Sequence, residues 1–154
     1  MIIEEIKNPD EKEAIARKIL NALPEWFENQ EAVKKYIRES RELPFLAAKA
    51  AGEPVGFLCL AETGKATVEL HVMGVLKTCH RQGVGRALVE KAKELAAQAG
   101  YSFFQVKTVQ AGMYPEYDLT NKFYQACGFQ EFEVIPEVWG KENPCQIYVM
   151  SLRL

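Results

Sequence analysis

Residues Cys79–Gly100 read CHRQGVGRALVEKAKELAAQAG, two glycines one residue apart that run directly into a helical pattern. Leu88, Ala92, Leu95, Ala96 and Ala99 recur at helical spacing with Lys and Glu between them, and Gly100 supplies a stop. Just upstream, ATVELHVMGV is rich in β-branched and apolar residues and predicts a strand over Thr67–Val75, with Gly74 allowing a bulge or a close backbone approach. A strand that enters a glycine loop and then a helix gathers backbone N–H groups where the helix dipole favours negative charge. Gly83 and Gly85 put no side chain between that backbone and an anion, and Arg81 and Arg86 add cationic donors. Local chemistry leaves two readings open: an anion-binding loop, or a sharp strand-to-helix turn.

Toward the N-terminus, IIEEIK predicts a short first strand, and NPDEKEAIARKILNAL carries Asn8 as a helix cap, Pro9 in the first turn and Glu11 close behind. Ile15, Ile19 and Leu20 form its buried stripe, and Pro24 ends it. ENQEAVKKYIRES predicts a second helix with Ala32, Val33, Tyr36 and Ile37 inward, and PEWFEN between the two is an aromatic turn. FLAAKA and VGFLCLA are strands on either side of the AGEP turn, and ETGK leads to the fourth strand. Toward the C-terminus, YSFFQVKTV predicts a fifth strand, QAGMYPEYD a loop, and LTNKFYQAC a short helix capped by Asp118 and stopped by Gly128. FQEFEVI and QIYVMSL are two further strands. This order is a mixed α/β arrangement, not a regular doubly wound repeat.

At 154 residues the chain has the length of one domain, enough to bury roughly 70% of its unfolded surface in a single core. Apolar residues make up 48% and charged ones 26%, with glycine and proline scattered, which excludes disordered and fibrous classes. A net charge of −2 gives no general attraction to nucleic acid or an anionic membrane. The N-terminal MIIEEIKNPD carries acids where a secretory signal has basic residues, and no apolar run approaches the roughly 18 residues of a membrane span. The expected location is cytoplasmic. Cys59, Cys79, Cys127 and Cys145 are far apart, with only His71 and His80 to join them, so free thiols and no metal site are expected.

Two phosphate motifs are excluded. GVGRAL has the first two glycines of the dinucleotide fingerprint but Leu88 at the third place, and a P-loop needs Gly-Lys-Ser/Thr. The strand, the alternating glycines and the long amphipathic helix instead resemble the GNAT superfamily of acyl-coenzyme A dependent N-acyltransferases, whose pyrophosphate loop reads Gln/Arg-x-x-Gly-x-Gly/Ala. HRQGVG puts Gly83 and Gly85 in register, with His80 at the first place. TNKFYQACGFQEFE resembles the family's second landmark, with Phe123, Tyr124, Gly128 and Phe129 in place, and with Tyr117 where the family often carries Asn. The resemblance implies one domain over residues 1–154, an α/β fold with a central, mostly antiparallel sheet of about seven strands flanked by about four helices. It also implies acetyl-coenzyme A as cosubstrate, held at the pyrophosphate by Arg81, Gln82, Gly83, Val84, Gly85 and Arg86. The Val75 backbone would pair with the pantetheine arm and offer its N–H to the oxyanion, and Asn121 would stand in for the missing Asn.

N-acyl transfer from a thioester asks for a neutral amine, a stabilised oxyanion and a proton for the departing thiolate. The resemblance gives the last role to Tyr124. Glu69 and His71 are candidate bases that share one face of an unbulged strand. A carboxylate within an apolar strand is costly to bury alone, so Glu69 is either a base acting through water or a solvent-facing or salt-bridged residue. His71 stands in reserve, because imidazoles exchange protons near neutral pH. MYPEYD sets Glu116 and Asp118 among aromatics, either a solvated loop or a mouth for a cationic amine. The expected reaction is direct attack by a small primary amine or a lysine-like group in a ternary complex, with no nucleic-acid or membrane partner. Cys79 and Cys127 lack a nearby triad-like His and acid for a covalent route. The alternative is a non-catalytic acyl-coenzyme A sensor or a protein-interaction module. An exposed edge at the final strand leaves a homodimer open.

Overall fold

The computed structural model, which describes residues 1–153, opens with strand β1 (Ile2–Glu5) and two helices whose starts are fixed by asparagine side chains. Asn8 accepts from the Glu11 N–H at 2.9 Å ahead of α1 (Pro9–Asn21), and Asn29 accepts from the Ala32 N–H at 3.1 Å ahead of α2 (Gln30–Ser40). Each cap satisfies a backbone donor that the helix itself leaves without a partner. The chain continues through β2 (Phe45–Ala50), β3 (Glu53–Gly64), β4 (Thr67–Val75), α3 (Val84–Gln98), β5 (Phe103–Val109), α4 (Pro115–Ala126), β6 (Gln130–Ile135) and β7 (Cys145–Ser151).

The seven strands form one sheet in the order β1-β2-β3-β4-β5-β7-β6. β1 with β2, β2 with β3, β5 with β7 and β6 with β7 are antiparallel, whereas β4 and β5 run parallel from Thr67↔Phe103 to Leu70↔Val106. β3 and β4 are joined by Lys65 and Ala66 alone, a link only antiparallel neighbours can use. The α/β class, the mixed sheet and the four helices agree with the sequence reading. β7 does not carry an exposed edge, because it lies between β5 and β6; the edge strands are β1 and β6.

By contact density the chain divides into two units, Met1–Ala61 with His71–Glu94, and Glu62–Leu70 with the residues from Leu95 on. In the first, Ile15, Ile19, Leu20, Val33 and Ile37 of α1 and α2 pack with Phe45, Phe57 and Val72 of the sheet. A Cβ on Gly74 would lie 2.8 Å from Ile19 Cγ2 and 3.0 Å from Leu23 Cδ1, so the close approach allowed by the sequence is realised against α1. Leu88, Ala92 and Ala96 form the buried stripe of α3, while Leu95 is half-buried and Ala99 exposed. In the second unit, Phe104, Val106, Tyr124, Phe129 and Tyr148 are buried.

Lys12 sits on the apolar side of α1 and is 8% exposed, an unusual place for an ammonium. Its Nζ donates to Leu43 O at 2.8 Å and Arg41 O at 3.4 Å, carbonyls just past the end of α2. Lys12→Met keeps the stem and removes the donor, leaving part-buried carbonyls without it. Urea unfolding is expected to show a loss of about 1–3 kcal/mol.

Candidate acyl-coenzyme A and acceptor site

The loop that opens α3 has an uncommon backbone. After β4 a short 3-10 turn, Lys77–Cys79, is followed by Arg81 at φ 63° and Gly83 at φ 82°. Gly83 suits a left-handed conformation that an arginine adopts only at a cost of about 1–3 kcal/mol. Ala87 N–H bonds to Gly83 O at 3.0 Å, the first helical hydrogen bond of α3. The N–H groups of Val84, Gly85 and Arg86 therefore have no acceptor within the helix. Arg81, Gln82, Gly83 and Arg86 are exposed, whereas the Val84 side chain is buried. Gln82 donates its amide to Thr78 O at 3.1 Å, closing the loop. The loop thus carries two exposed guanidinium groups, those of Arg81 and Arg86, beside helix-start N–H groups that have no helical acceptor.

His80, at the place where the sequence departs from the Gln/Arg pattern, turns back on the strand. Its Nε2 lies 2.7 Å from Val75 O, and its ring meets Trp26 edge-on with centroids 5.8 Å apart. Lys77 also pairs with Glu25, so the turn between α1 and α2 is fastened to this loop by a ring contact and an ion pair. Val75 itself packs against Gly56, where an added Cβ would lie 3.3 Å from Val75 Cγ2, 3.3 Å from Leu88 Cδ1 and 3.1 Å from Gly74 O.

Along β4 the two candidate bases have different partners. Glu69 is 7% exposed, so it does not face solvent, and its Oε1 lies 3.0 Å from Lys107 Nζ on β5. His71 Nε2 lies 3.1 Å from Glu39 Oε1 on α2, and the Tyr36 ring meets the imidazole edge-on at 5.4 Å. Glu39 and Tyr36 are absent from the sequence-predicted site. The only signal for them is their separation of three residues, which sets them on one face of a helix.

α4 starts at Pro115, four residues earlier than a cap at Asp118 would start it, and Tyr114 in the cap position makes no side-chain cap. Proline fits this first position because its missing N–H has no helical partner there. Asp118 instead accepts from the Gly112 N–H at 2.7 Å, folding the Gln110–Tyr114 loop onto the first turn. Tyr124 is 6% exposed, with Phe123, Phe129 and Tyr148 rings at 5.5, 5.7 and 6.1 Å. The Asn121 side chain is hydrogen-bonded within the protein. Its Nδ2 donates to Val109 O at 2.8 Å and Tyr117 O at 2.7 Å, and its Oδ1 accepts from the Tyr148 hydroxyl at 2.6 Å, tying α4 to β5 and β7. Gln125 donates to the same hydroxyl at 3.2 Å, and burial raises the pKa of Tyr148. A depression of 380 Å³ lies along this part of α4, lined by Ala111, Gly112, Asp118, Asn121, Lys122 and Gln125.

None of the four cysteines is in a disulfide, and Cys59, Cys127 and Cys145 are buried. Burial pushes the Cys59 and Cys145 thiols above their ordinary range and away from the thiolate a nucleophile needs. Among the described residues no three His, Cys, Asp or Glu gather as metal ligands, and no helix is long and apolar enough to cross a membrane.

The model of the acetyltransferase (GNAT) family matches residues 13–129. A protein from Desulfovibrio desulfuricans assigned to the GNAT acetyltransferases superposes with a TM-score of 0.83 at 17% identity, over 99% of both chains. An aminoglycoside 6'-N-acetyltransferase complexed with coenzyme A gives 0.78 at 20% identity, over 100% of this chain and 98% of the other. The aminoglycoside 6'-N-acetyltransferase from Enterococcus faecium gives 0.76 at 21% identity, with the same coverage. No curated protein sequence matches the chain significantly. At these identities the likeness to the solved structures is one of fold.

Proposed function

The chain belongs to the GNAT acetyltransferase family, and from that membership we propose that it moves the acetyl group of acetyl-coenzyme A onto a primary amine of a small molecule or peptide. The observation that carries this reading is the loop ahead of α3. Left-handed backbone at Arg81 and Gly83, three helix-start N–H groups and two exposed guanidinium groups make an anion cradle suited to a pyrophosphate. An ordinary strand-to-helix turn has no need of an arginine in strained backbone.

In the proposed reaction the Val75 backbone pairs with the pantetheine arm. His80 uses one lone pair of Val75 O and leaves the other for an amide N–H. The Val75 N–H then faces the thioester oxygen and stabilises it as it becomes an oxyanion. The acceptor ammonium gives one proton to a base. The freed lone pair forms the new C–N bond, and collapse of the tetrahedral adduct breaks C–S with its electron pair leaving on sulfur. The Tyr124 hydroxyl donates a proton to that sulfur and is reprotonated from solvent, while the second amine proton departs to water. The acids beside Tyr114 and Tyr117 favour a cationic acceptor, although Asp118 already serves the loop. The aminoglycoside substrates named for the similar structures are amines of this kind.

Calorimetric titration with acetyl-coenzyme A, with coenzyme A and NAD as comparators, tests the first half of the reading. The expected result is binding in the micromolar range for both coenzyme A forms and none for NAD. A folded protein that ignores acetyl-coenzyme A overturns the assignment. Thiol release on adding amines tests the second half, because a non-catalytic acyl-coenzyme A sensor binds and releases nothing.

A further inference from the structure

Two proton acceptors stand two residues apart on β4, and their surroundings separate them. Glu69 has a side chain only 10% exposed and spends its charge on Lys107 Nζ at 3.0 Å. That carboxylate is already engaged by a cation on the neighbouring strand. His71 is 22% exposed and faces Glu39, whose side chain is 36% exposed, with Nε2 and Oε1 3.1 Å apart. These two residues come from β4 and α2, and the hydrogen bond joins positions 32 apart in the chain. Tyr36, one turn before Glu39, sets its ring edge-on to the imidazole at an interplanar angle of 77°. The imidazole is held by a carboxylate and by an aromatic ring of one helix.

We infer that Glu39 is a positioning residue for His71, and that the pair provides the base of the acetyl transfer, an inference that rests on the function proposed above. A carboxylate only accepts hydrogen bonds, so when the imidazole is neutral its Nε2 carries the proton and donates to Glu39. Nδ1 is left with the lone pair. That nitrogen takes one proton from the acceptor ammonium, and the N–H electron pair stays on the amine to form the new C–N bond. The imidazolium so formed lies beside a carboxylate that stabilises its charge, then returns its proton to water. Glu39 thus fixes which nitrogen is basic, as the third group of a nucleophile–base–orienter set does in other folds. A cationic amine also gains from the arrangement, because the Glu39 carboxylate attracts it. The substrate class that fits is an aliphatic ammonium, not an aromatic amine already neutral in water.

The test compares wild type with Glu39→Ala and Glu39→Gln. Nitrogen NMR of the imidazoles reads the tautomer without any substrate, and His71 is distinguished from His80, the only other histidine, by a His80→Asn sample. Wild type is expected to hold neutral His71 as the Nε2–H tautomer, with Glu39→Ala losing that preference and Glu39→Gln, which keeps an acceptor oxygen, retaining it. Turnover should follow the tautomer. Glu39→Ala should fall about 10- to 100-fold in kcat, a share of what acid–base catalysis supplies, with acetyl-coenzyme A affinity unchanged and Glu39→Gln recovering part of the loss. Wild-type turnover matched by Glu39→Ala, or an Nδ1–H tautomer in wild type, overturns the pairing and leaves the acetyl-transfer reading intact. A wild type that binds acetyl-coenzyme A yet releases no thiol with any amine removes that reading, and the pair's catalytic role with it.

Discussion

A Tyr124→Phe protein is expected to release coenzyme A about 100-fold more slowly than the parent while binding acetyl-coenzyme A equally well. The ring of Tyr124 is buried among Phe123, Phe129 and Tyr148, and phenylalanine preserves all of that packing. Only the hydroxyl is removed, so a change in rate at constant stability reports on chemistry and not on folding. Proton donation to a leaving group is worth roughly 100- to 10,000-fold when the donor is positioned, and a thiolate is a better leaving group than an amine, which puts the expectation at the low end. Tyr148→Phe is the matched control. Its hydroxyl lies between Asn121 and Gln125 and is committed to them, so that variant should lose stability by about 1 kcal/mol and keep its turnover per folded molecule. Unchanged turnover in Tyr124→Phe would remove Tyr124 from the acid role.

The contrast between these two tyrosines also marks where the sequence stops being legible. The Asn8 cap and the Thr67–Val75 strand are legible because each is decided by residues a few positions apart, and Tyr124 is proposed from a motif that is likewise contiguous. Tyr148, Glu39 and Lys107 become site neighbours only through pairings that join distant positions, β7 with β5, α2 with β4 and β5 with β4. No local pattern encodes those. Asn121 shows the same limit: its position near the landmark suggests a ligand contact, while its bonds to Val109 on β5 and Tyr148 on β7 depend on the fold. The strand ends fail differently. β3 continues through Glu62, Thr63 and Gly64, polar residues that composition assigns to a loop, because pairing with a neighbouring strand outweighs weak strand propensity. α4 begins at Pro115 because a proline at the first helical position costs no hydrogen bond, a signal present in MYPEYD but equally typical of a turn.

Gly83→Val is expected to weaken acetyl-coenzyme A binding by about 100-fold, and the reason lies in the backbone alone. A Cβ at Gly83 would have nothing within 4 Å, so no steric contact with the protein explains a loss. What valine cannot accept is φ 82°, since a β-branched residue in the left-handed region is a genuine outlier. Relief comes from rotating the loop, and rotation re-aims the N–H groups of Val84, Gly85 and Arg86 that the cradle needs. Two charge-assisted hydrogen bonds lost at about 1.5 kcal/mol each amount to about 3 kcal/mol, or about 100-fold. Gly74→Val provides the opposite signature. There the backbone tolerates a side chain, but Ile19 Cγ2 and Leu23 Cδ1 stand 2.8 and 3.0 Å from its Cβ, and overpacking of that kind costs about 1–3 kcal/mol of stability. One glycine should therefore show its effect in the calorimeter with modest change in urea unfolding, and the other in urea unfolding first. If Gly83→Val binds acetyl-coenzyme A as the parent does, the left-handed loop is only a route into α3, and the pyrophosphate must be held by the exposed guanidinium groups of Arg81 and Arg86 without the backbone's help.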